Sequence, residues 1–96
     1  MIQSFADATT EDIFNGKDSK AARKVDKALW PVVRRKLDMV TAATRLDDLK
    51  APPGNRLEAL KRDQKGHHSI RVNERWRITF RFDDGNAHDV CCEDYH

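Results

Sequence analysis

The last three residues of the sequence, Asp94, Tyr95 and His96, place a carboxylate, a phenol and an imidazole side by side. Each group can exchange a proton or form a hydrogen bond, and histidine titrates near neutral pH. Together with arginines that stabilise negative charge, such groups can cleave an RNA phosphodiester without a metal. One takes the 2′-hydroxyl proton and another protonates the leaving 5′-oxygen. The residue types therefore favour acid–base chemistry on a phosphodiester, if the fold brings arginines to them.

An arginine-rich segment with strict alternation supplies those guanidinium groups. Side chains alternate across a pleated strand, so its apolar residues face one way and its arginines the other. The planar guanidinium binds two phosphate oxygens at once, which suits arginine to phosphate recognition. Taken alone, the strand is explained equally well as a solubilising edge. One face carries Trp76, Ile78, Phe80 and Phe82, and the other carries Arg75, Arg77, Thr79 and Arg81.

Charge is unevenly distributed along this 96-residue chain, whose formal net charge is only +2. Residues 56–82 contain eight Lys or Arg and three acids, a net charge of +5, whereas residues 83–96 contain five acids and no Lys or Arg. Such segregation indicates a polyanionic partner more than general solubility. The length predicts a single domain, residues 1–96, with a modest core.

Several classes of protein are disfavoured by the composition. Cys91 and Cys92 are adjacent, and adjacent cysteines rarely bridge each other, so we expect no disulfide framework and no Cys-x-x-Cys zinc site. The N-terminus lacks an apolar signal-peptide core, and no apolar run approaches the ~20 residues that span a bilayer, so we expect a cytoplasmic chain without a membrane partner. The histidines lack tight ligand spacing and arginines repel cations, so we expect no metal and no cofactor. They are His67, His68, His88 and His96.

The first half of the chain has helical spacing after a weakly alternating segment. Residues 2–6 predict a short strand, and Thr9 and Thr10 predict hydroxyl caps for a short helix that ends at Asn15-Gly16. Residues 19–43 carry an apolar stripe in steps of four and three, which predicts the main helical stretch. Pro31 either kinks one helix or stands near the start of a second. A capping pair, Thr44 and Asp47, predicts one further turn through Leu49, before a break at residues 51–55.

After the break the period changes to two, which predicts four strands at residues 56–61, 67–72, 76–82 and 87–93. Ile70 and Ile78 should share the buried face. A register in which paired residue numbers add to 148 then leaves a three-residue loop and sets Arg71 opposite Arg77. Two facing like charges are easier to understand if an anion lies between them. A sum of 168 or 170 for the last pair of strands places Tyr95 among the arginines. The fold class is therefore α+β, with an N-terminal strand and helices on one face of a small, mostly antiparallel sheet.

Four segments together resemble the HigB-type killer-protein branch of the RelE/ParE toxin superfamily. They are residues 52–61 (Pro-Pro-Gly-Asn-Arg-Leu-Glu-Ala-Leu-Lys), residues 66–73 (Gly-His-His-Ser-Ile-Arg-Val-Asn), residues 76–78 (Trp-Arg-Ile) and residues 94–96 (Asp-Tyr-His). The resemblance implies the RelE-like fold and ribosome-dependent cleavage of mRNA in the A site. It also implies a helix-turn-helix antitoxin of the HigA type, through which alone the chain would reach operator DNA.

The resemblance also implies roles for individual residues. Asp94, Tyr95 and His96 match the functional C-terminal triplet of the family, and Arg77 matches the arginine of its Trp-Arg-Ile strand. Glu58 stands where some members have a catalytic histidine, so it is either a carboxylate base or an ion-pair partner for an arginine. We expect a basic RNA- and ribosome-binding surface formed by Arg56, Lys61, Lys65, Arg71, Arg75 and Arg81.

Two alternatives from other functional classes remain at this point. ParE-type relatives with the same scaffold inhibit DNA gyrase, and such an inhibitor needs no acid–base residues. A chain of this kind can also act chiefly as a partner that regulates binding of its antitoxin to operator DNA. The Asp-Tyr-His triplet beside an arginine face favours the nuclease.

Overall fold

A computed structural model describes residues 1–61 and 66–94 of the chain. Helical elements precede strands, as the change of period predicted, and the fold is α+β. Two α-helices, α1 (Ala8–Phe14) and α2 (Trp30–Ala42), pack on a four-stranded antiparallel sheet of order β1-β2-β3-β4. The strands are β1 (Glu58–Ala59), β2 (His67–Arg71), β3 (Trp76–Asp83) and β4 (Asn86–Asp94).

Helix α1 is capped by a residue that the sequence analysis did not select. The Asp7 carboxylate accepts a hydrogen bond from the Thr10 backbone N–H at 2.9 Å, and Asp7 itself is extended. Thr9 and Thr10 therefore lie inside the first turn, and the prediction that they cap the helix was wrong. Both are buried, and the Thr10 hydroxyl accepts from the Cys92 N–H at 2.8 Å, which ties α1 to β4. The helix ends at Asn15, as predicted.

The long helical stretch predicted at residues 19–43 is divided into three pieces. Two 3₁₀ turns, Ala22–Lys24 and Lys27–Leu29, precede α2. Pro31 lies in the first turn of α2, where a missing N–H costs nothing, so the second of the two predicted alternatives is correct. The chain breaks its helix at Val25, whose backbone is extended while its side chain is buried. Burial of an apolar side chain thus followed the predicted stripe even where the backbone did not.

The segment between α2 and the sheet consists of two short 3₁₀ turns, Leu46–Lys50 and Pro53–Asn55. The first is capped by Asp48 in place of the predicted Asp47. The Asp48 carboxylate accepts from the backbone N–H groups of Thr44 at 3.0 Å and Arg45 at 3.1 Å. These bonds hold the pKa of the Asp48 carboxyl below its usual value of 3.8.

The strand registers follow the parity argument closely. Pairs between β2 and β3 include Ile70 with Ile78 and Arg71 with Arg77, which is the predicted sum of 148. Pairs between β3 and β4 add to 170 as far as Thr79, and a bulge between Thr79 and Arg81 then shifts the register. The predicted first sheet strand, residues 56–61, is shortened to β1. The predicted N-terminal strand, residues 2–6, makes only two parallel bridges, Ile2 to Ala87 and Phe5 to Val90.

Packing against α1 and α2 buries one face of the sheet. Ile70, Ile78, Phe80 and Val90 are fully buried there with the apolar stripe of α2, namely Val33, Leu37 and Val40. The opposite side, here called the open face, consists of three rows of paired residues across β2, β3 and β4. Within the described residues, no helix is long and apolar enough to span a membrane. The rows are Arg71–Arg77–Glu93, Ser69–Thr79–Cys91 and His67–Arg81–His88.

Candidate active site

Arg77 lies in the middle of the first row and is anchored on several sides. Its Nε donates a hydrogen bond to the Ser69 hydroxyl at 2.8 Å, and its Nη2 donates to the Arg56 backbone carbonyl at 2.9 Å. The same Nη2 lies 3.6 Å from Glu58 Oε2. Only 12% of the side chain is exposed. Arg77 thus lies on the arginine face, as the alternation predicted, and its side chain is nevertheless largely covered by its partners.

The anchoring follows from the small size of the neighbouring residue. Ser69 is the second residue before Arg71 on β2, so it shares the open face and leaves room for a long side chain to lie across it. Ser69 is fully buried, and its hydroxyl gives the Arg77 guanidinium a partner. The Arg77 side chain thereby lies against β2 and the Pro53–Asn55 turn, although its Cα faces that of Arg71.

An open cleft of about 240 Å³ lies beside Arg77. This volume is below the ~300–1,000 Å³ of typical small-molecule pockets, so it suits a phosphate and part of a nucleotide. Three of the five lining side chains are arginines, and guanidinium groups around a concave surface attract an anion. The anion expected between Arg71 and Arg77 therefore has a space to occupy. The lining residues are Arg56, Arg71, Asn73, Glu74 and Arg77.

The loop on one side of the cleft is fixed by Asn73. Its side-chain oxygen accepts from the backbone N–H groups of Arg75 at 2.9 Å and Trp76 at 2.7 Å, which closes the tight connection between β2 and β3. Asparagine commonly stabilises turns in this way. The predicted three-residue loop, residues 73–75, is consistent with these bonds.

Glu58 contacts Arg77 and is 56% exposed. The structure thus gives it the ion-pair contact that was one of its two predicted uses. A role as base stays a prediction. Because Glu58 is paired with Ser69 across β1 and β2, the register fixes its carboxylate on the open face.

Asp94 is held by a different arginine. Arg75 donates from Nε to Asp94 Oδ2 at 2.8 Å, and its Nη2 lies 2.7 Å from the same oxygen. The hydrogen bond to the Asp94 carboxylate and its negative charge raise the pKa of Arg75. The Arg75 guanidinium also lies 5.6 Å from the centre of the Trp76 ring. Arg75 therefore fixes the end of β4, the residue that precedes Tyr95 and His96 in the chain.

The remaining predicted site residues are dispersed. Arg81 is four residues from Arg77 along β3, about 13 Å at ~3.3 Å per residue, and its Nη1 lies 3.7 Å from Asp83 Oδ2. Lys61 is exposed just after β1. The predicted roles of Tyr95, His96 and Lys65 fall outside the described residues. The structure therefore brings together Arg56, Arg71, Arg77 and Glu58 and, separately, Arg75 and Asp94.

Sequence reasoning missed four residues of this site: Ser69, Asn73, Glu74 and Glu93. Glu93 is the Cα partner of Arg77 on β4, which one of the two predicted sums, 170, implies. Ser69 lies two residues before Arg71 on the same strand, so alternation gives it the same face. The signal for both was therefore present in the register, whereas the role of Glu74 in lining the cleft depends on the loop conformation.

The described residues include both cysteines and three of the four histidines. Cys91 and Cys92 are free thiols, and burial together with the nearby Asp7 carboxylate raises the pKa of each to about 12. In residues 1–61 and 66–94, no three His, Cys, Asp or Glu side chains are grouped closely enough to hold a metal ion.

Comparison with known proteins gives a consistent result. A family model described as the RelE-like toxin of type II toxin–antitoxin system HigB matches residues 3–96. The chain is 38% identical over 98 aligned positions to endoribonuclease HigB of Proteus vulgaris, which covers 100% of both chains. It is also 38% identical over 87 residues to toxin HigB-1 of Vibrio cholerae, which covers 91% of this chain and 90% of that protein.

Solved structures show the fold. The chain is similar to a chain of the YoeB-YefM complex from Staphylococcus aureus, with a TM-score of 0.60, 16% identity and coverage of 100% of this chain and 98% of that one. It is also similar to the YoeB dimer from Staphylococcus aureus, with a TM-score of 0.59, 22% identity and coverage of 99% and 94%. The RelE-like arrangement of helices on an antiparallel sheet is therefore confirmed.

Proposed function

Because this chain belongs to the HigB-like family of RelE-like toxins from type II toxin–antitoxin systems, we propose that it is an endoribonuclease. It cleaves messenger RNA in the A site of the ribosome, without a metal, and so arrests translation. The anchored guanidinium of Arg77 at an arginine-lined cleft carries this proposal.

Arg77 stabilises the negative charge that develops on the phosphorus centre. A donor that is already fixed in place needs no reorganisation at the moment of reaction, which is why preorganised donors contribute so much to catalysis. Two hydrogen bonds and an ion pair fix Arg77 before substrate arrives. Arg56 and Arg71, on the other walls of the cleft, bind the phosphate oxygens.

Proton transfer is assigned to the C-terminal triplet. His96 supplies an imidazole, the side chain that most often serves in general acid–base catalysis, and Tyr95 contacts the substrate base or phosphate. Asp94, which Arg75 holds at the end of β4, positions these two residues. Glu58 stands beside Arg77 as the alternative base. The wider basic surface, formed by Lys61, Lys65, Arg75 and Arg81, binds messenger and ribosomal RNA.

The cognate antitoxin is of the helix-turn-helix HigA type and binds away from the cleft. Helix α2 buries its apolar stripe and exposes Arg34 and Arg35 to solvent. This basic surface, continued by Arg23, Lys24 and Lys27, suits an acidic segment of the antitoxin, which neutralises by blocking entry to the ribosome. A double variant, Arg34→Glu with Arg35→Glu, should weaken copurification with the antitoxin and leave RNA cleavage intact. A complex in which the antitoxin fills the cleft around Arg77 would contradict this assignment.

The test of the nuclease is to map 5′ ends of cellular RNA after brief induction of the chain. We expect new ends at in-frame positions of translated messages, and no such ends with Arg77→Ala at equal protein level. Intact messages together with relaxed or broken DNA would instead indicate a gyrase inhibitor. Purified chain, programmed ribosomes and chelator then test whether cleavage is independent of metal.

A further inference from the structure

Asn55 is a fully buried polar side chain in the turn that precedes the sheet. Its amide nitrogen donates to the backbone carbonyls of Leu49 at 3.2 Å and Ala51 at 3.3 Å. Its oxygen accepts from the Lys36 ammonium of α2 at 2.5 Å. Carbonyls on one side and an ammonium on the other fix which end of the amide is which.

Lys36 is an unusual residue for this position because only 8% of it is exposed. Lysine is almost never buried unless it is paired, since loss of water disfavours its charged form. Burial, with a smaller contribution from neighbouring Arg35, indeed lowers the pKa of Lys36 below its ordinary value. Burial therefore costs the ammonium its contact with water. The hydrogen bond to Asn55 offsets part of that cost and joins α2 to the turn.

The turn that Asn55 anchors leads directly to the residue that holds Arg77. Arg56 follows in the left-handed region, with φ 45° and ψ 55°. Residues other than glycine rarely adopt this conformation, which persists only where the surrounding structure enforces it. In this conformation the Arg56 carbonyl accepts the hydrogen bond from Arg77 Nη2 at 2.9 Å.

We propose that Lys36 and Asn55 are positioning residues for Arg77. They fix the turn that directs the Arg56 carbonyl toward the Arg77 guanidinium, so a helix on the buried side of the sheet sets the geometry of the cleft on the open side. The consequence for catalysis rests on the proposed function, in which Arg77 stabilises charge on the scissile phosphate. The effect on the position of Arg77 does not depend on the proposed function.

Two variants test the proposal in the full-length chain. Asn55→Ala removes both the donor and the acceptor group of the amide. It should lower the kcat for mRNA cleavage on programmed ribosomes by roughly 10- to 100-fold, because displacement of a catalytic group by about 1 Å can cost 10²-fold. KM for programmed ribosomes should change little. Lys36→Met keeps the side-chain length but leaves the Asn55 oxygen without its donor, and should lower kcat by about tenfold. Lys36→Arg restores a donor and should recover most of that loss.

A matched control separates positioning from general loss of stability. Val33→Ala creates a cavity on the same helix, where Val33 is fully buried in the core. All variants are assayed at a temperature well below their unfolding midpoints, and Val33→Ala should keep the wild-type kcat. If Asn55→Ala lowers the unfolding midpoint but keeps kcat, or if Val33→Ala loses as much activity, the positioning role is wrong.

A direct readout of Arg77 makes the result independent of catalysis. The Arg77 Nε–H is shielded in the bond to Ser69, so its NMR signal, assigned with Arg77→Lys, should exchange slowly with solvent. Exchange should be at least about tenfold faster in Asn55→Ala and unchanged in Val33→Ala. Unchanged exchange in Asn55→Ala overturns the positioning proposal. If the Arg77 Nε–H exchanges slowly in the wild type and faster in Asn55→Ala, but the wild type cleaves no RNA, the positioning role stands and the proposed function is wrong.

Discussion

Arg77 and Arg81 lie on the same face of β3, yet they differ in exposure and in hydrogen-bond partners. Arg77 is 12% exposed and has hydrogen bonds to a buried serine and to a turn carbonyl. Arg81 is 35% exposed, and its ion pair with Asp83 is long, at 3.7 Å. Two arginines on one face of the same strand therefore provide a fixed donor and a more exposed charge.

The neighbours of the two arginines explain this difference. Ser69 is diagonal to both arginines, but Arg77 also has a carbonyl within reach, that of Arg56 directly after the Pro53–Asn55 turn. Arg81, about 13 Å further along β3, is paired with His67 and His88. A fixed donor suits a transition state, because it needs no reorganisation. An exposed cation suits attraction of a polyanion, because that field acts over distance and needs no precise geometry.

The contrast between Arg77 and Arg81 would be contradicted most clearly if catalysis did not take place near Arg77. Deletion of Tyr95 and His96, which follow the Asp94 that Arg75 holds, should reduce mRNA cleavage on programmed ribosomes by roughly 10²- to 10⁴-fold, the usual contribution of general acid–base groups. Folding and antitoxin binding should persist, and the single variants Tyr95→Phe and His96→Ala should divide the loss. Full cleavage by the shortened chain would favour a gyrase inhibitor or a pure binding protein.

Substitution of the fixed arginine should affect both rate and stability. Arg77→Ala should lower kcat by about 10²- to 10³-fold, as is common when one preorganised donor is lost. It should also lower the free energy of unfolding by about 1–3 kcal/mol, because the buried partners of the guanidinium lose their donor. Urea unfolding and single-turnover cleavage measure the two effects. Arg77→Lys, which keeps charge but not the planar fork, is the control, and wild-type activity in either variant would contradict the assignment.

The exposed arginine should give a smaller effect of another kind. Arg81→Ala should raise KM for programmed ribosomes by a few-fold with little change in kcat, and should alter the free energy of unfolding by less than about 0.5 kcal/mol. The salt dependence of ribosome binding should weaken by about one phosphate contact. Measurement of Kd at low and high salt tests this. A loss in kcat as large as that of Arg77→Ala would remove the distinction between the two arginines.

The free energy of unfolding should depend on pH through two thiols, that of Cys91 on the open face and that of Cys92 in the core. The pKa of Cys91 and of Cys92 is raised from 9.0 to about 12 in the folded chain. Both thiols are protonated below pH 9 in either state, whereas between pH 9 and 12 the unfolded chain releases protons that the folded chain keeps. Their contribution to stability is therefore complete below pH 9 and is lost as pH rises, by about 1.4 kcal/mol at pH 10 for the buried Cys92 and by less for the half-buried Cys91, whose thiol is partly screened by solvent.

Urea unfolding of the wild type and of the double variant Cys91→Ser, Cys92→Ala from pH 7 to pH 10 isolates this effect. The free energy of unfolding should fall more steeply for the wild type. Alkylation of the folded wild type at pH 8 should also be slow, since the thiolate is the reactive form. Parallel stability curves would show that the thiols ionise normally in the folded chain.

Local sequence patterns predicted the sheet and much of the cleft. Alternation in period two assigned the arginines to one face and Ile78 and Phe80 to the other, and parity together with a three-residue loop predicted the register of Arg71 with Arg77. Asp84 and Gly85 form the turn between β3 and β4 with positive φ, a conformation that glycine adopts freely and aspartate more readily than most residues. These features depend on residues that are close in the sequence or adjacent across a tight turn, so their geometry follows from the pleat itself.

Local patterns predicted less in the helical half, where several side-chain oxygens can accept from the same backbone N–H groups. Thr9, Thr10 and Asp7 all offer oxygen acceptors to the start of α1, and the fold uses the carboxylate while the buried Thr10 hydroxyl bonds to β4. The stripe at residues 19–43 was buried as predicted at Val33, but the backbone left the helix at Val25. Periodicity reports which side chains are buried, and it does not determine how the backbone reaches the core.

The sequence by itself determined which side chains face the open side of the sheet and that this side is rich in arginine. Only the tertiary structure decided that Arg77 is the anchored one, that Glu58 pairs with it and that Arg75 holds Asp94. These contacts join residues from β1, the Pro53–Asn55 turn and the end of β4, which are distant in the sequence. Their distances depend on how β1, the turn and the end of β4 come together beside β3, and alternation along one strand carries no information about that packing.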